Sequence, residues 1–192
     1  MRSAALALVM AGACGGASPA ARRPAPSATI AAPEAPSAAC ATPEHRAFDF
    51  WIGAWDVKVL TRKDPAAPWI TSAGTQRIES ILGGCVISEN FAAEGPDAPW
   101  SGKSYSMWQP ALGTWRQTWV DDQGSYLVFT GGVENGAMTL YGEPFERAGK
   151  HVEMRMVFRD VARDALTWEW QRKGDDGAWV AQMVIEYRRA TR

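Results

Sequence analysis

Trp115, Gln117, Trp119 and Asp121 stand two apart in the sequence, so an extended chain turns all four to one face. An aromatic wall carrying one amide and one carboxylate is the chemistry of a small-molecule pocket. The same pattern also serves a packed core in which Gln117 bonds to neighbouring backbone. Glu89 shares its face with Cys85, Ile87 and Phe91; Tyr105 shares one with Met107; Arg77 shares one with Glu79 and Ile81. If the apolar faces point inward, Glu89 is internal and Arg155 external. A buried carboxylate needs a partner, and Arg77 and Arg116 are the candidates. The expected lining set is therefore Trp119, Gln117, Tyr105, Glu89, Trp115 and Arg77.

Familiar catalytic signatures are absent. The chain holds no G-x-S-x-G elbow and no phosphate-binding glycine loop. Its three cysteines, Cys14, Cys40 and Cys85, form no C-x-x-C pair, and His45 and His151 are far apart. A zinc site would need further ligands, and no cofactor is expected. His151 as a haem ligand stands as the alternative to a solvated histidine beside Lys150. Twenty basic residues against 21 acidic ones leave a net charge of −1, which gives no electrostatic case for nucleic acid, whose binding would need a basic face. The ten tryptophans of the 192 residues supply large rigid surfaces for a core or a pocket.

Strands must position these residues. Val152, Met154, Met156 and Phe158 alternate with Glu153, Arg155 and Arg159; Leu166, Trp168 and Trp170 alternate with Thr167, Glu169 and Gln171. Trp179, Ala181, Met183, Ile185 and Tyr187 repeat the pattern. Period two marks half-buried strands. Further strands are expected over about 54–62, 72–82, 85–93, 102–109, 114–121, 124–133 and 136–142. Asn135-Gly136 and Asp176-Gly177 are strong hairpin signals. Thr42-Pro43-Glu44 reads as a helix start, predicting a short helix or helical turn over about Pro43 to Ile52 that ends at Gly53. About ten strands joined by tight turns, with no crossover helix, predict an all-β, antiparallel up-and-down barrel, because closure removes exposed edges.

Gly53-Ala54-Trp55 opens the first strand after that helix. It resembles the G-x-W motif of lipocalins and related calycin barrels. The resemblance implies that Trp55 plugs the closed end, with a basic residue of the last strand packed on it. Arg188 and Arg189 follow Tyr187, and Arg188 is the first candidate. Phe48 to Val57, Leu82-Gly83-Gly84-Cys85 with Glu89, and Trp115 to Asp121 with Gly124 resemble three blocks of the DUF1579 proteins, an uncharacterised bacterial family. That resemblance spans about Cys40 to Arg189 and implies a calycin-like barrel without an established activity.

The N-terminus reads differently. Met1-Arg2 and the apolar run Ala4 to Met10 fit a signal peptide over residues 1–13. Cleavage after Ala13 leaves Cys14 as a lipidated lipoprotein N-terminus or as a plain secreted end. Residues 14–41 are rich in Ala, Pro and Ser and read as a disordered tether; residues 42–192 form the barrel domain. If Cys14 carries lipid, Cys40 and Cys85 are left to pair; two separate buried thiols are the alternative. The expected protein is a bacterial envelope protein, lipid-anchored at Cys14 or periplasmic or secreted, binding a small, largely apolar molecule. A lipid-tethered interaction module with a filled barrel is the second reading. An enzyme using a buried acid such as Glu89 or Asp121 is the third. The oligomeric state is not readable.

Overall fold

The computed structural model describes residues 37–94 and 99–191. Cys14 and the signal segment lie outside the described residues. The barrel strands are β1 (Gly53–Thr61), β2 (Ile70–Ile81), β3 (Val86–Ala93), β4 (Trp100–Gln109), β5 (Thr114–Asp121), β6 (Tyr126–Glu134) and β7 (Ala137–Gly142). A small hairpin of β8 (Phe145–Arg147) and β9 (Lys150–Val152) follows. The barrel resumes with β10 (Met154–Arg159), β11 (Ala165–Lys173) and β12 (Trp179–Arg189). Neighbouring strands pair antiparallel in order, β7 pairs with β10 across the excursion, and β12 closes on β1. The expected barrel is thus the observed one.

Two local differences have physical causes. The helix expected over Pro43 to Ile52 is split into α1 (Pro43–Arg46) and a 3-10 turn over Asp49–Trp51. Phe48 and Trp51 are both fully buried, three residues apart. A 3-10 turn nearly eclipses positions three apart, so both rings enter the barrel base. The expected run from Val152 through Phe158 breaks at Glu153, which leaves the ladder. Its carbonyl accepts from the Lys173 N–H at 3.1 Å, and its carboxylate takes the Lys173 ammonium at 2.9 Å.

Alternation builds the interior. Val57, Val59, Ile78, Phe91, Phe129, Leu140, Phe158 and Ile185 are buried on inward faces. The Asn135-Gly136 turn takes positive φ at both residues, 49° and 80°, as a tight hairpin requires.

One end is sealed. Phe48 packs against Trp51, Trp115 and Phe158 at centroid distances of 5.2, 5.2 and 4.9 Å. Trp55 donates its indole N–H to the Trp51 carbonyl at 2.7 Å. The guanidinium of Arg189 lies 3.6 Å above the Trp55 ring and donates to the carbonyls of Ile52 and Arg163. Arg188, the first candidate for that place, is exposed on the outer face. Tyr187 is inward, and period two turns Arg189 inward with it. Gly53 has φ 139°, and a Cβ there would overlap the Arg189 guanidinium. The G-x-W glycine therefore has a steric reason: it leaves room for the arginine that covers the tryptophan.

Ser37 and a 3-10 turn over Ala38–Cys40 belong to this end too. Cys40 is disulfide-bonded to Cys85 in the turn between β2 and β3, with 5.1 Å between the Cα atoms. The Ser37 N–H donates to the Gly83 carbonyl at 2.6 Å. The chain thus joins the fold several residues ahead of Thr42, on the sealed side.

Candidate functional site

A cavity of about 260 Å³ occupies the other end of the barrel. Its rim includes Asp121, Gln123 and Ser125 at the turn between β5 and β6, and its floor reaches Trp51 and Phe158 of the plug. The strand register stacks its polar wall in rows. Phe91, Gly102 and Asp121 are neighbours across β3, β4 and β5. The next row toward the base is Glu89, Ser104, Trp119 and Leu127; below it lie Ile87, Ser106, Gln117 and Phe129.

The polar groups of this wall bond to one another. Glu89, 5 % exposed, accepts from Gln76 Nε2 at 2.8 Å on Oε1 and from Ser104 Oγ at 2.5 Å on Oε2. Gln117 Nε2 donates to Ser106 Oγ at 2.8 Å. Among the described residues no guanidinium reaches Glu89: Arg77 is on the outer face paired with Glu79 at 2.9 Å, and Arg116 is exposed. Burial pushes the Glu89 carboxyl up to about 7, with the Ser104 hydrogen bond pulling the other way. Neutral donors lower a carboxyl less than a cation would.

Tyr187 faces the same space from β12. Burial, and then the charge of Glu89, push its phenol well above the ordinary value; Trp51 and Gln76 partly offset this. Neither Trp51 Nε1 nor Gln76 Oε1 completes a hydrogen bond of ordinary geometry, and Trp100 Nε1 is likewise unpartnered. Asp121 behaves oppositely to Glu89. Its partial burial would raise it, but donors from Trp119, Ser125 and Gln123 outweigh that and hold it below the usual range. Trp119 Nε1 donates to Asp121 Oδ2 at 3.0 Å, and the Ser125 N–H donates to Oδ1 at 2.9 Å.

The opposite wall is apolar. Met156, Met183 and Ile185 lie with Trp168 and Trp170, whose rings stack at 6.3 Å. Trp100 meets Trp119 edge-on at 6.0 Å and Phe91 at 4.8 Å. A Cβ on Gly102 would overlap the Trp119 ring, so the glycine sets where that indole lies.

Of the expected lining residues, Trp119, Gln117 and Glu89 border the cavity. Trp115 does not: it is buried among the plug residues and donates its indole N–H to the Glu44 carbonyl at 3.2 Å. Tyr105 points outward and is 49 % exposed. The inward residues of β4 are Trp100, Gly102, Ser104, Ser106 and Trp108, and this parity puts Tyr105 on the outer face. Arg77 is external for the same parity reason, because Gln76 and Ile78 are the buried residues of β2. Sequence reasoning missed Gln76, Trp100, Trp168, Trp170 and Tyr187. The last three were legible as inward faces of their strands, but nothing local marks them as bordering a void. His151 is exposed on β9 beside Glu146, and His45 is buried with Nδ1 2.9 Å from Thr42 Oγ1; neither borders the cavity.

These features define a class: a closed antiparallel barrel, plugged at one end and hollow toward the other, with a two-faced interior. The chain belongs to the family described as "Protein of unknown function (DUF1579)", whose model matches residues 41–189. No curated protein matches it.

Proposed function

We propose that this protein binds a small, largely apolar molecule bearing a polar group, with the apolar body against the Trp168–Trp170 wall and the polar group toward Glu89 and Gln76. The observation that carries this reading is the cavity of about 260 Å³ joining those two walls. A barrel filled by its own aromatics would leave no such space. The volume is near the lower end for small-molecule sites, roughly 300 Å³ upward, so the ligand is compact.

Native mass spectrometry of the protein purified from its own host tests this. The expected result is a non-covalent adduct of low mass that is lost in Gly102→Val, where the new side chain drives Trp119 into the space. An adduct retained in full by Gly102→Val would place binding elsewhere. If no adduct is found and tryptophan emission stays unchanged across a panel of small apolar molecules, the reading fails.

We propose further that the protein is exported and anchored through lipid on Cys14. The Cys40–Cys85 disulfide supports an oxidising compartment. Intact-mass measurement from the host should show Cys14 as the N-terminus carrying diacylglycerol; an unmodified soluble mature chain would exclude the anchor.

A further inference from the structure

We infer that the molecule held in this cavity is a small organic cation, an amine or ammonium group on an aromatic or apolar body. The inference rests on the cavity being a ligand site.

The charge of the wall is one-sided. Among the described residues, Glu89 and Asp121 are the only charged side chains bordering the cavity, and no Lys, Arg or His joins them. Composition does not cause this, because the chain carries 20 basic residues against 21 acidic ones. Basic groups lie close by but are used elsewhere: Arg189 is committed to the Trp55 face beneath the floor, and Arg77 to Glu79 outside. In a space poorly screened by water, an anionic ligand would meet only like charge.

The walls suit a cation in a second way. Trp100, Trp119, Trp168 and Trp170 all border the space. Their ring faces carry the negative side of the aromatic quadrupole, which attracts ammonium groups.

The third observation is a buried acceptor whose hydrogen bonding is incomplete. Gln76 is 4 % exposed and gives its Nε2 to Glu89, while its Oε1, beside the Tyr187 phenol, completes no hydrogen bond of ordinary geometry. Glu89 receives one hydrogen bond on each oxygen, while a carboxylate offers about four lone-pair positions. An ammonium donating to Glu89 and Gln76 Oε1 would satisfy both. The unpartnered N–H groups of Trp51 and Trp100 suit a water or a neutral oxygen of the same ligand.

The arrangement also accounts for a buried acid without a basic partner. With its carboxyl pushed up to about 7, Glu89 can take a proton while the cavity lacks a cation. A docked cation then supplies the opposite charge that favours ionisation.

Three probes of matched size separate the cases: 2-phenylethylamine, 2-phenylethanol and phenylacetate, titrated calorimetrically into the full-length mature protein near neutral pH. The amine should bind at least about tenfold tighter than the alcohol, and phenylacetate weakest. Glu89→Gln should bring the amine down to the level of the alcohol and weaken the alcohol far less than the amine. Amine affinity should rise from about pH 5 to about pH 8 as Glu89 ionises, while the alcohol stays flat. Among the described residues, the titratable groups facing that space are Glu89 on β3, Asp121 on β5 and Tyr187 on β12; β2 and β4 present Gln76 and Trp100 to it. If the alcohol or phenylacetate binds as tightly as the amine, cation selectivity is wrong and the ligand site stands. If none of the three binds, both fall together.

Discussion

Glu89 makes the sharpest test at the scale of one residue. Its folded-state carboxyl titrates near 7, against 4.5 for an ordinary glutamate. A raised acid favours the protonated fold, so its stabilising contribution is present below about pH 4.5 and is lost as pH rises through about 7. The difference is about 3 kcal/mol between those limits. Glu89→Gln keeps the acceptor for Gln76 and can donate to Ser104 Oγ. Urea denaturation should show the variant matching the parent near pH 4 and exceeding it near pH 8. A parent whose stability is unchanged over that interval would contradict the placement. Residue-scale reading of the sequence found Glu89, Gln117 and Trp119, because alternation assigns faces. It misassigned Tyr105 because the middle of β4 turns Gly102, Ser104 and Ser106 to the interior, between the inward Trp100 and Trp108, and leaves Tyr105 and Met107 to solvent. A polar cavity wall inverts the usual signal.

At the scale of elements, the last strand and the first are locked through one side chain. Arg189→Met removes the cation over Trp55 and the donors to Ile52 and Arg163. It should cost about 2 kcal/mol in denaturant unfolding. Arg188→Met on the outer face should change stability by less than about 0.5 kcal/mol. Equal effects would mean that the plug is indifferent to which arginine it has. The pairing of β4 with β5 gives a second test. Gly102→Val forces the Trp119 indole to move, costing about 1–3 kcal/mol through overpacking and closing the upper cavity. Strand positions were legible from period two and from turns such as Asn135-Gly136. The split of the expected helix was not, because it depends on Phe48 and Trp51 meeting Phe158, a residue more than a hundred positions away.

For the whole molecule, closure of the meander was readable from strand number and turn spacing. The cavity was not, because a void is set by side chains from eight strands together. The disulfide acts at this scale as well. Cys40 and Cys85 are separated by 45 residues, and the chain-entropy model assigns their link about 4 kcal/mol. Cys40→Ser with Cys85→Ser should lower the urea midpoint accordingly. Because the link sits at the plugged end, the double variant should retain the same ligand affinity at temperatures where it stays folded. Loss of affinity in folded protein would show that the two ends are coupled.

Ser37 is held on the sealed side, while the cavity opens at the rim near Gln123 and Ser125. Protein attached through its N-terminus is expected to keep the aperture accessible. Association and dissociation rates measured on protein immobilised by that terminus should equal those of free protein in solution. Anchoring would then set where the molecule works without altering how fast it loads or empties.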